Sequence, residues 1–272
     1  MFVESLKASL VLYEKRETIA TAAKRLWRRI RKGDVRIAVF GPGGVGKTTL
    51  GEILSGSLDP ATTPSQYQES IWTEEFRLPG DVPATLLVGP GQERRRKATW
   101  NELFRQLSKG KSIGVINLVS YGYHAFGGEL SFKQHKVYKP GMTPSQFLKA
   151  FTEHQRQSEL QVLRELQPHL ESAKGRIWML TLVTKQDLWW KSRKTVEEHY
   201  TQGEYNHILN EIAARRGAER FSHEILSASL VIQNLMTDVG EELAPTVAGY
   251  DQVKRAANLL RVIETIDTLV RL

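Results

Sequence analysis

The chain has 272 residues, 40% of them hydrophobic and 25% charged, which is the composition of a globular protein with a sizeable core. It contains no cysteine, which excludes disulfides, cysteine–zinc sites and thiol nucleophiles. No apolar run reaches the length of a membrane span and no signal-peptide core begins the chain, so we expect a cytoplasmic protein.

Residues 1–33 are predicted to form a basic amphipathic helix ahead of the main domain. Apolar residues recur there at helical spacing, and the second half is strongly basic. Its basic residues are Lys24, Arg25, Arg28, Arg29, Arg31 and Lys32. One interpretation of residues 1–32 is a helix that binds a partner or the surface of a membrane. The other, which we favour, is a helix docked on the domain with a solvated basic face.

The stretch from Val35 to Thr49 combines an apolar strand, a glycine-rich turn and the start of a helix. The turn fits the pattern GxxxxGK[ST] through Gly41, Gly46, Lys47 and Thr48. In such a loop glycines let backbone N–H groups converge on phosphate oxygens, the lysine adds charge and the threonine hydroxyl ligates Mg²⁺. The helix that follows points its positive dipole end at the same anion. We therefore predict a nucleotide site formed by Gly41, Gly43, Gly44, Val45, Gly46, Lys47, Thr48 and Thr49.

The rest of the chain alternates predicted strands with predicted helices. The strands are 71–78, 84–88, 112–120, 176–183 and 221–226, and the first two form a meander and hence an antiparallel pair. The helices run from 144 to near 167, over 207–216 and over 250–271. Pro168 should break or kink the first of these helices. Residues 121–142 are an irregular insertion with a hairpin expected around Gly127-Gly128, and most of the seven histidines are expected at the surface or at helix caps.

This alternation predicts an α/β fold in which residues 34–272 form one doubly wound domain. Open α/β sheets bind ligands at the carboxyl ends of their strands. Three loops fall at such ends: the phosphate loop, Thr184–Asp187 and Ser227–Ser229.

In order and spacing these loops resemble those of the Ras-like and Arf-like small GTPases. GPGGVGKTT resembles the family's phosphate loop, TKQD its [NT]KxD guanine motif and SAS its SAK/SAL motif. The resemblance covers about residues 35–271 and implies a three-layer P-loop NTPase fold with a mostly parallel, six-stranded sheet that includes one antiparallel strand. It also implies GTP or GDP with Mg²⁺ as ligands, and a protein effector or regulator as partner. Since a nucleotide site already uses positive charge, the net charge of +8 is weak evidence for nucleic acid, and we expect none.

The chemistry of guanine fits the second loop. The carboxylate of Asp187 can accept hydrogen bonds from both N1–H and the 2-amino group, a donor pair that adenine lacks. The aliphatic stem of Lys185 can lie across the base, and the resemblance implies that the N–H of Ala228 meets the guanine carbonyl oxygen. The predicted base-binding residues are Thr184, Lys185, Asp187, Ser227, Ala228 and Ser229.

Two segments, 59–70 and 89–100, are predicted to sense the γ-phosphate. The resemblance implies a threonine in the first that helps to bind Mg²⁺; Thr62 and Thr63 both lie there, and we favour Thr63. In the second, Gly91 can offer its N–H to the γ-phosphate and Gln92 can orient the attacking water. Val88 stands where the family has an aspartate that holds Mg²⁺ through a water. The predicted catalytic residues are Lys47, Thr63 and Gln92, and the predicted metal ligands are Thr48 and Thr63.

Three functional hypotheses follow from these residues. The first is a guanine-nucleotide switch that slowly hydrolyses GTP to GDP and phosphate, and the retention of Gln92 favours it. The second is a non-hydrolysing pseudo-GTPase scaffold that uses bound nucleotide structurally and its N-terminal helix for a partner or a membrane. The third is a P-loop ATPase or kinase acting on nucleic acid.

Overall fold

The computed structural model describes residues 17–19, 21–22, 35–55, 74–77, 85–88, 100–105, 107, 112–127 and 131–271. Its strands are β1 (Val35–Phe40), β2 (Glu74–Arg77), β3 (Thr85–Val88), β4 (Ser112–Val119), β5 (Arg176–Val183), β6 (Phe221–Ser227), β7 (Leu235–Met236) and β8 (Glu242–Ala244). Its helices with defined ends are α1 (Lys47–Ser55), α2 (Pro144–Ser172), α3 (Gln186–Trp189), α4 (Arg193–Thr201), α5 (Glu204–Arg216) and α6 (Gln252–Arg271). Residues 17–19, 21–22, 100–105 and 107 are also helical.

Six of the described strands form one sheet in the order β2-β3-β1-β4-β5-β6. Every neighbouring pair is parallel except β2 and β3, which are antiparallel as the predicted meander requires. Val39 lies in register with Val88 of β3 and with Ile116 of β4, so the carboxyl ends of these strands meet at one edge. This confirms the mostly parallel, six-stranded sheet of the P-loop NTPase fold.

Helices cover both faces of the sheet, because successive side chains of a strand point to opposite faces. Ile37 and Val39 belong to a first core cluster with apolar residues of α1 and α6. Ala38 and Phe40 belong to a second core cluster with apolar residues of α2, α4 and α5. The fold is therefore three-layered, as expected. Ile19 is buried within the first core cluster, which is what a docked helix requires at that residue.

Helix α2 continues to Ser172, so the prediction that it ends near Gln167 is wrong. Pro168 removes one N–H from the helix and is exposed, while Leu170 beyond it is fully buried and anchors the last turn. Arg216 at the end of α5 donates to the carbonyl oxygens of Leu170 and Ala173, at 2.8 Å and 2.6 Å. Burial and this cap outweigh the one lost hydrogen bond.

Two excursions from the sheet pack together into a third core cluster. The first is the insertion 121–142, and the second is the segment 230–250, which includes the short hairpin of β7 and β8. The cluster comprises Phe126, Phe132, Phe147, Phe151, Leu188, Leu235, Leu243 and Ala244. The described part of the insertion holds a 3₁₀ turn, Phe132–Gln134, and no strand, so the hairpin predicted around Gly127-Gly128 is not found there; residues 128–130 lie outside the described residues.

Two histidines depart from the expectation that this residue type lies at the surface. His124 is 2% exposed, and His135 is buried among the rings of Phe126, Phe147 and Phe151. Across the described ranges, no helix is both long and apolar enough to cross a membrane.

Candidate functional site

The loop between β1 and α1 has the conformation that its glycines make possible. Gly41, Gly44 and Gly46 have φ angles of 138°, 74° and 97°, in the region that residues with a Cβ rarely adopt. A Cβ on Gly41 would collide with the carbonyl oxygen of Leu118, at the end of the neighbouring strand. The loop therefore curls tightly against β4, and the N–H of Leu50 returns to the Gly46 carbonyl at 2.9 Å as α1 begins.

Lys47 folds back across this loop. Its side chain is 7% exposed, and its Nζ donates to the carbonyl oxygen of Pro42 at 2.7 Å. Thr48 follows in the first turn of α1 and is partly buried, as are Gly43 and Thr49, whereas Val45 is fully buried in the first core cluster. A buried ammonium beside a curled glycine loop is a fitting environment for an anion.

Thr184 connects the phosphate loop to the loop after β5. Its hydroxyl lies 2.8 Å from the Val45 carbonyl oxygen and 3.0 Å from that of Val119, and donates between them. Its carbonyl accepts the indole N–H of Trp189 at 2.8 Å. One short side chain thus joins the phosphate loop, the end of β4 and the Thr184–Asp187 loop.

Asp187 is 1% exposed, and both oxygens of its carboxylate have partners. The hydroxyl of Ser229 donates to Oδ1 at 2.5 Å, and the N–H of Gln233 donates to Oδ2 at 3.1 Å. The Asp187 N–H returns to the Ser229 hydroxyl oxygen at 2.8 Å. Burial raises the pKa of Asp187, and these hydrogen bonds oppose the rise.

Lys185 precedes it in the left-handed conformation, with φ of 55°. Burial lowers the pKa of the Lys185 ammonium to about 8, and the nearby Asp187 carboxylate opposes that shift. The two residues thus place a cation and an anion in the same loop, each within the electrostatic influence of the other.

The residues Ser227–Ser229 have different roles. Ser229 is fully buried and contacts Asp187 as described, whereas Ser227 is the last residue of β6, opposite Val183. The Ala228 N–H donates to the Val183 carbonyl oxygen at 3.1 Å, so the donor expected for a guanine carbonyl continues the sheet instead.

Sequence reasoning missed two residues of this loop region. Gln233 acts through its backbone N–H, which no side-chain pattern reveals. Tyr250 accepts the Ser229 N–H at 3.2 Å and donates to Gln186 Oε1 at 3.2 Å, from a position 21 residues beyond Ser229. Tyr250 fell within the predicted helix 250–271, so nothing in the sequence marked it as a site residue.

The predicted switch residues Thr62, Thr63, Gly91 and Gln92 lie outside the described residues and stay predictions. Val88 is the last residue of β3. Among the described residues, no three His, Asp or Glu side chains gather as metal ligands.

No protein-family model matches the chain, and no curated protein matches it. Many solved structures resemble it, the following three among them. The small COPII coat GTPase SAR1 of Encephalitozoon cuniculi, an ADP-ribosylation-factor-like protein in complex with GDP, has 15% identity and a TM-score of 0.47, over 99% of this chain and 92% of that one. The signal recognition particle receptor SRb–GDP of Chaetomium thermophilum has 15% identity and a TM-score of 0.34, over 72% and 89%. The SRb–GTP/SRX complex from the same organism has 16% identity and a TM-score of 0.37, over 72% and 93%.

Proposed function

We propose that this chain binds a guanine nucleotide with Mg²⁺ and acts as a molecular switch that hydrolyses GTP slowly. The observation that carries the proposal is the position of Thr184, whose hydroxyl joins Val45 of the phosphate loop to the loop that holds Lys185 and Asp187. A phosphate-binding feature and a feature suited to guanine thus share one edge of the sheet. Residues 34–272 would form the nucleotide domain, with residues 1–33 as an appended basic helix.

On the phosphate side, the loop 41–46 would bind the phosphates through its N–H groups. Lys47 would exchange its bond to the Pro42 carbonyl for phosphate oxygens, and Thr48 would ligate Mg²⁺. The bound nucleotide supplies the phosphoanhydride bond that is broken. Thr63 would complete the metal site, Gly91 would sense the γ-phosphate and Gln92 would orient water.

On the base side, Asp187 would select guanine. An ionised carboxylate has about four acceptor positions, and Ser229 and Gln233 use two of them. The remaining positions suit the paired N–H donors of guanine if the Gln233 N–H either shares Oδ2 with the base or gives up its hydrogen bond to that oxygen. Ser229 would hold the carboxylate in place, and the Lys185 stem would lie along the base.

Val88 favours a second candidate, the non-hydrolysing scaffold. It ends β3 in register with Val39 of β1, the strand that leads into the phosphate loop. An aliphatic side chain offers no acceptor for a metal-bound water, so Mg²⁺ would depend on Thr48, a switch threonine, phosphates and water. The nucleotide would then stabilise the fold, and the N-terminal helix would bind a partner or a membrane.

Calorimetric binding of GDP, GTP, ADP and ATP, with single-turnover hydrolysis with and without Mg²⁺, tests the proposal. We expect micromolar or tighter binding of GDP and GTP, much weaker binding of ADP and ATP, and slow Mg²⁺-dependent cleavage of GTP. Lys47→Ala should weaken GDP and GTP binding by about 10-fold or more, since it removes a charge-assisted contact. Lys174→Ala is the matched control, because Lys174 is exposed at the opposite end of the sheet, next to the start of β5.

The outcomes separate the candidates. Tight GDP and GTP binding without cleavage supports the scaffold. Equal binding of ATP and GTP contradicts the guanine assignment and restores the ATPase or kinase hypothesis. Absence of any nucleotide binding contradicts all of them.

A further inference from the structure

A buried carboxylate lies outside the predicted site but close to it. Glu159 is in the middle of α2 and 1% exposed. Its Oε1 accepts from Ser120 N–H at 2.8 Å, from Gly122 N–H at 3.1 Å and from His124 Nε2 at 2.9 Å. Because a carboxylate only accepts, the Nε2 of His124 carries the hydrogen. An isolated buried charge is costly, so this convergence of donors is what permits a carboxylate here.

The second oxygen is bound by Tyr200. Its hydroxyl donates to Glu159 Oε2 at 2.7 Å and accepts the Tyr121 N–H at 2.9 Å. Burial by itself raises the pKa of Glu159, but the bonds from His124, Tyr200 and Ser120 outweigh it, and the pKa lies below its ordinary value. The carboxylate is therefore ionised throughout the neutral range.

All these donors belong to, or support, one unusual turn, residues 120–125. Tyr121 has φ of 54°, which costs a residue with a side chain about 1–2 kcal/mol, and Gly122 has φ of 81°. A Cβ on Gly122 would collide with the carbonyl oxygen of Thr152 in α2. Such a conformation persists only when surrounding contacts determine it, and the contacts of Glu159 do so.

Residues 120–125 also contact the phosphate loop. The N–H of Ala125 donates to the carbonyl oxygen of Gly44 at 2.9 Å, and a Cβ on Gly44 would lie only 2.7 Å from that nitrogen. Burial lowers the pKa of His124; its hydrogen-bond partner Glu159 opposes this shift, and the charges of Lys185 and Lys47 lower the pKa further. A continuous path of short contacts thus runs from the middle of α2 to the phosphate loop.

We propose that Glu159, with His124 and Tyr200, positions the phosphate loop for its ligand. Glu159 fixes the 120–125 turn, and the Ala125 N–H then holds Gly44 in the left-handed conformation that curls the loop. Glu159 does not itself touch the ligand. The identity of the ligand, a nucleoside diphosphate or triphosphate, rests on the proposed function; the positioning of the loop does not.

Tyr200 and Tyr205 form a matched pair for testing this role. Both side chains are fully buried, and their rings lie 5.1 Å apart. The hydroxyl of Tyr205 also has two partners, Asn117 Nδ2 at 2.7 Å and Thr181 Oγ1 at 3.1 Å, but these lie in β4 and β5. Removing either hydroxyl disturbs a buried network, and only that of Tyr200 reaches the turn.

The experiment compares Tyr200→Phe with Tyr205→Phe by urea unfolding, calorimetric titration with GDP, and hydrogen–deuterium exchange. We expect similar losses of unfolding free energy. Tyr200→Phe should weaken GDP binding by about 3- to 10-fold and speed exchange at residues 41–47 and 120–125, whereas Tyr205→Phe should change GDP affinity by less than about 2-fold. Equal effects of the two variants on affinity and exchange would overturn the proposal.

Glu159→Gln gives a second, independent measurement. The amide keeps one acceptor for the turn but loses the charge, so exchange at 120–125 should rise while the far end of the sheet is unchanged. Glu165→Gln, the same change six residues further along α2 and partly buried, should leave both regions as in the wild type. If the wild type binds neither GDP nor GTP, the proposed function fails and the exchange comparison still decides whether Glu159 positions the loop. Unchanged exchange at 41–47 and 120–125 in Glu159→Gln would contradict the positioning role.

Discussion

At the scale of single residues, Asp187 is the position on which the proposed base selection depends. The sequence predicted its proximity to the Ser227–Ser229 loop, and the structure places Ser229 on its carboxylate. The sequence could not predict the second partner, because Gln233 contributes only an N–H. A sequence motif specifies side chains, whereas one of the two hydrogen bonds to this carboxylate comes from a backbone N–H.

Asp187→Asn should exchange guanine for xanthine as the preferred base. The amide presents a donor where guanine also donates, so GDP affinity should fall about 10- to 100-fold, whereas xanthosine diphosphate, which offers an acceptor there, should bind better than GDP. Competition titrations of the two diphosphates measure this ratio.

The control for that change is Asp238→Asn, an exposed aspartate between β7 and β8. It should leave both affinities at the wild-type value. Normal GDP binding by Asp187→Asn would show that Asp187 does not contact the base. Equal loss of both diphosphates would indicate that the amide disturbs Ser229 and Gln233 rather than base choice.

Glu159 shows where prediction from sequence fails at this scale. A glutamate in an amphipathic helix is ordinarily solvated, and nothing in the residues around it distinguishes this one. Its partners lie 35 to 41 residues away in the chain, so only the packing of α2 against the end of β4 reveals them.

At the scale of elements, the central strands were predicted best because they are largely buried on both faces. β1, β4 and β5 are nearly continuous apolar runs, the pattern of central parallel strands. The hairpin of β7 and β8 was missed because its strands, Leu235–Met236 and Glu242–Ala244, are too short to show an alternation. The end of α2 was misplaced because local rules weigh Pro168 but not the burial of Leu170.

Arg216 should be more important to stability than its surface neighbour Arg215. Its guanidinium donates to the carbonyl oxygens of Leu170 and Ala173 and also to that of Gly175, where the helix ends after Pro168. Arg216→Ala leaves these partly buried carbonyls without a donor and should lower the unfolding free energy by about 2–3 kcal/mol. Urea unfolding measures the change.

Arg215→Ala is the matched control, since Arg215 pairs with Glu171 at 2.6 Å on the surface. An exposed ion pair contributes little, so the loss should be much smaller than that of Arg216→Ala. Similar losses for the two variants would mean that the cap does not support the last turn of α2.

At the scale of the whole molecule, the two excursions join the two halves of the proposed site from outside the sheet. The Ser131 hydroxyl of the insertion donates to the carboxylate of Glu241, at 2.9 Å from Oε2, next to the shared third core cluster. The insertion also supplies Ala125 to the phosphate loop, while the segment 230–250 supplies Gln233 to Asp187. The predicted insertion was correctly located as irregular, but its partner could not be foreseen, because the two are more than 100 residues apart.

The third core cluster should make the fold sensitive to mild acid. Burial lowers the pKa of His135 to about 4, with smaller contributions from His154 and Lys136, against about 6.5 in an unfolded chain. Below pH 6.5 the unfolded chain therefore binds a proton at His135, whereas the folded chain does not bind it until the pH approaches 4. The contribution of neutral His135 to stability is complete above pH 6.5 and is lost as the pH falls toward 4. Between pH 7 and pH 5 His135 should account for a loss of at most about 2 kcal/mol, which solvent screening reduces.

Urea unfolding of the wild type and of His135→Gln at pH 7 and pH 5 measures this contribution. It is the loss of unfolding free energy in the wild type minus the loss in the variant. The variant should lose less stability on acidification than the wild type. His207→Gln, an exposed histidine on α5, should behave as the wild type. An equal pH response in wild type and His135→Gln would show that His135 is protonated in the folded protein.

The glycine at position 44 of the phosphate loop depends on the neighbouring turn, residues 120–125. It occupies a position where the pattern GxxxxGK[ST] accepts any residue, so the pattern itself does not demand a glycine there. The backbone of Ala125 does, because it leaves no space for a Cβ. A descendant that lost the turn would be free to gain a side chain at position 44, and one that kept the turn would not. Gly44, Gly122 and Glu159 should therefore be inherited or lost together, as a signature that separates this chain's lineage from others that share only the nucleotide motifs.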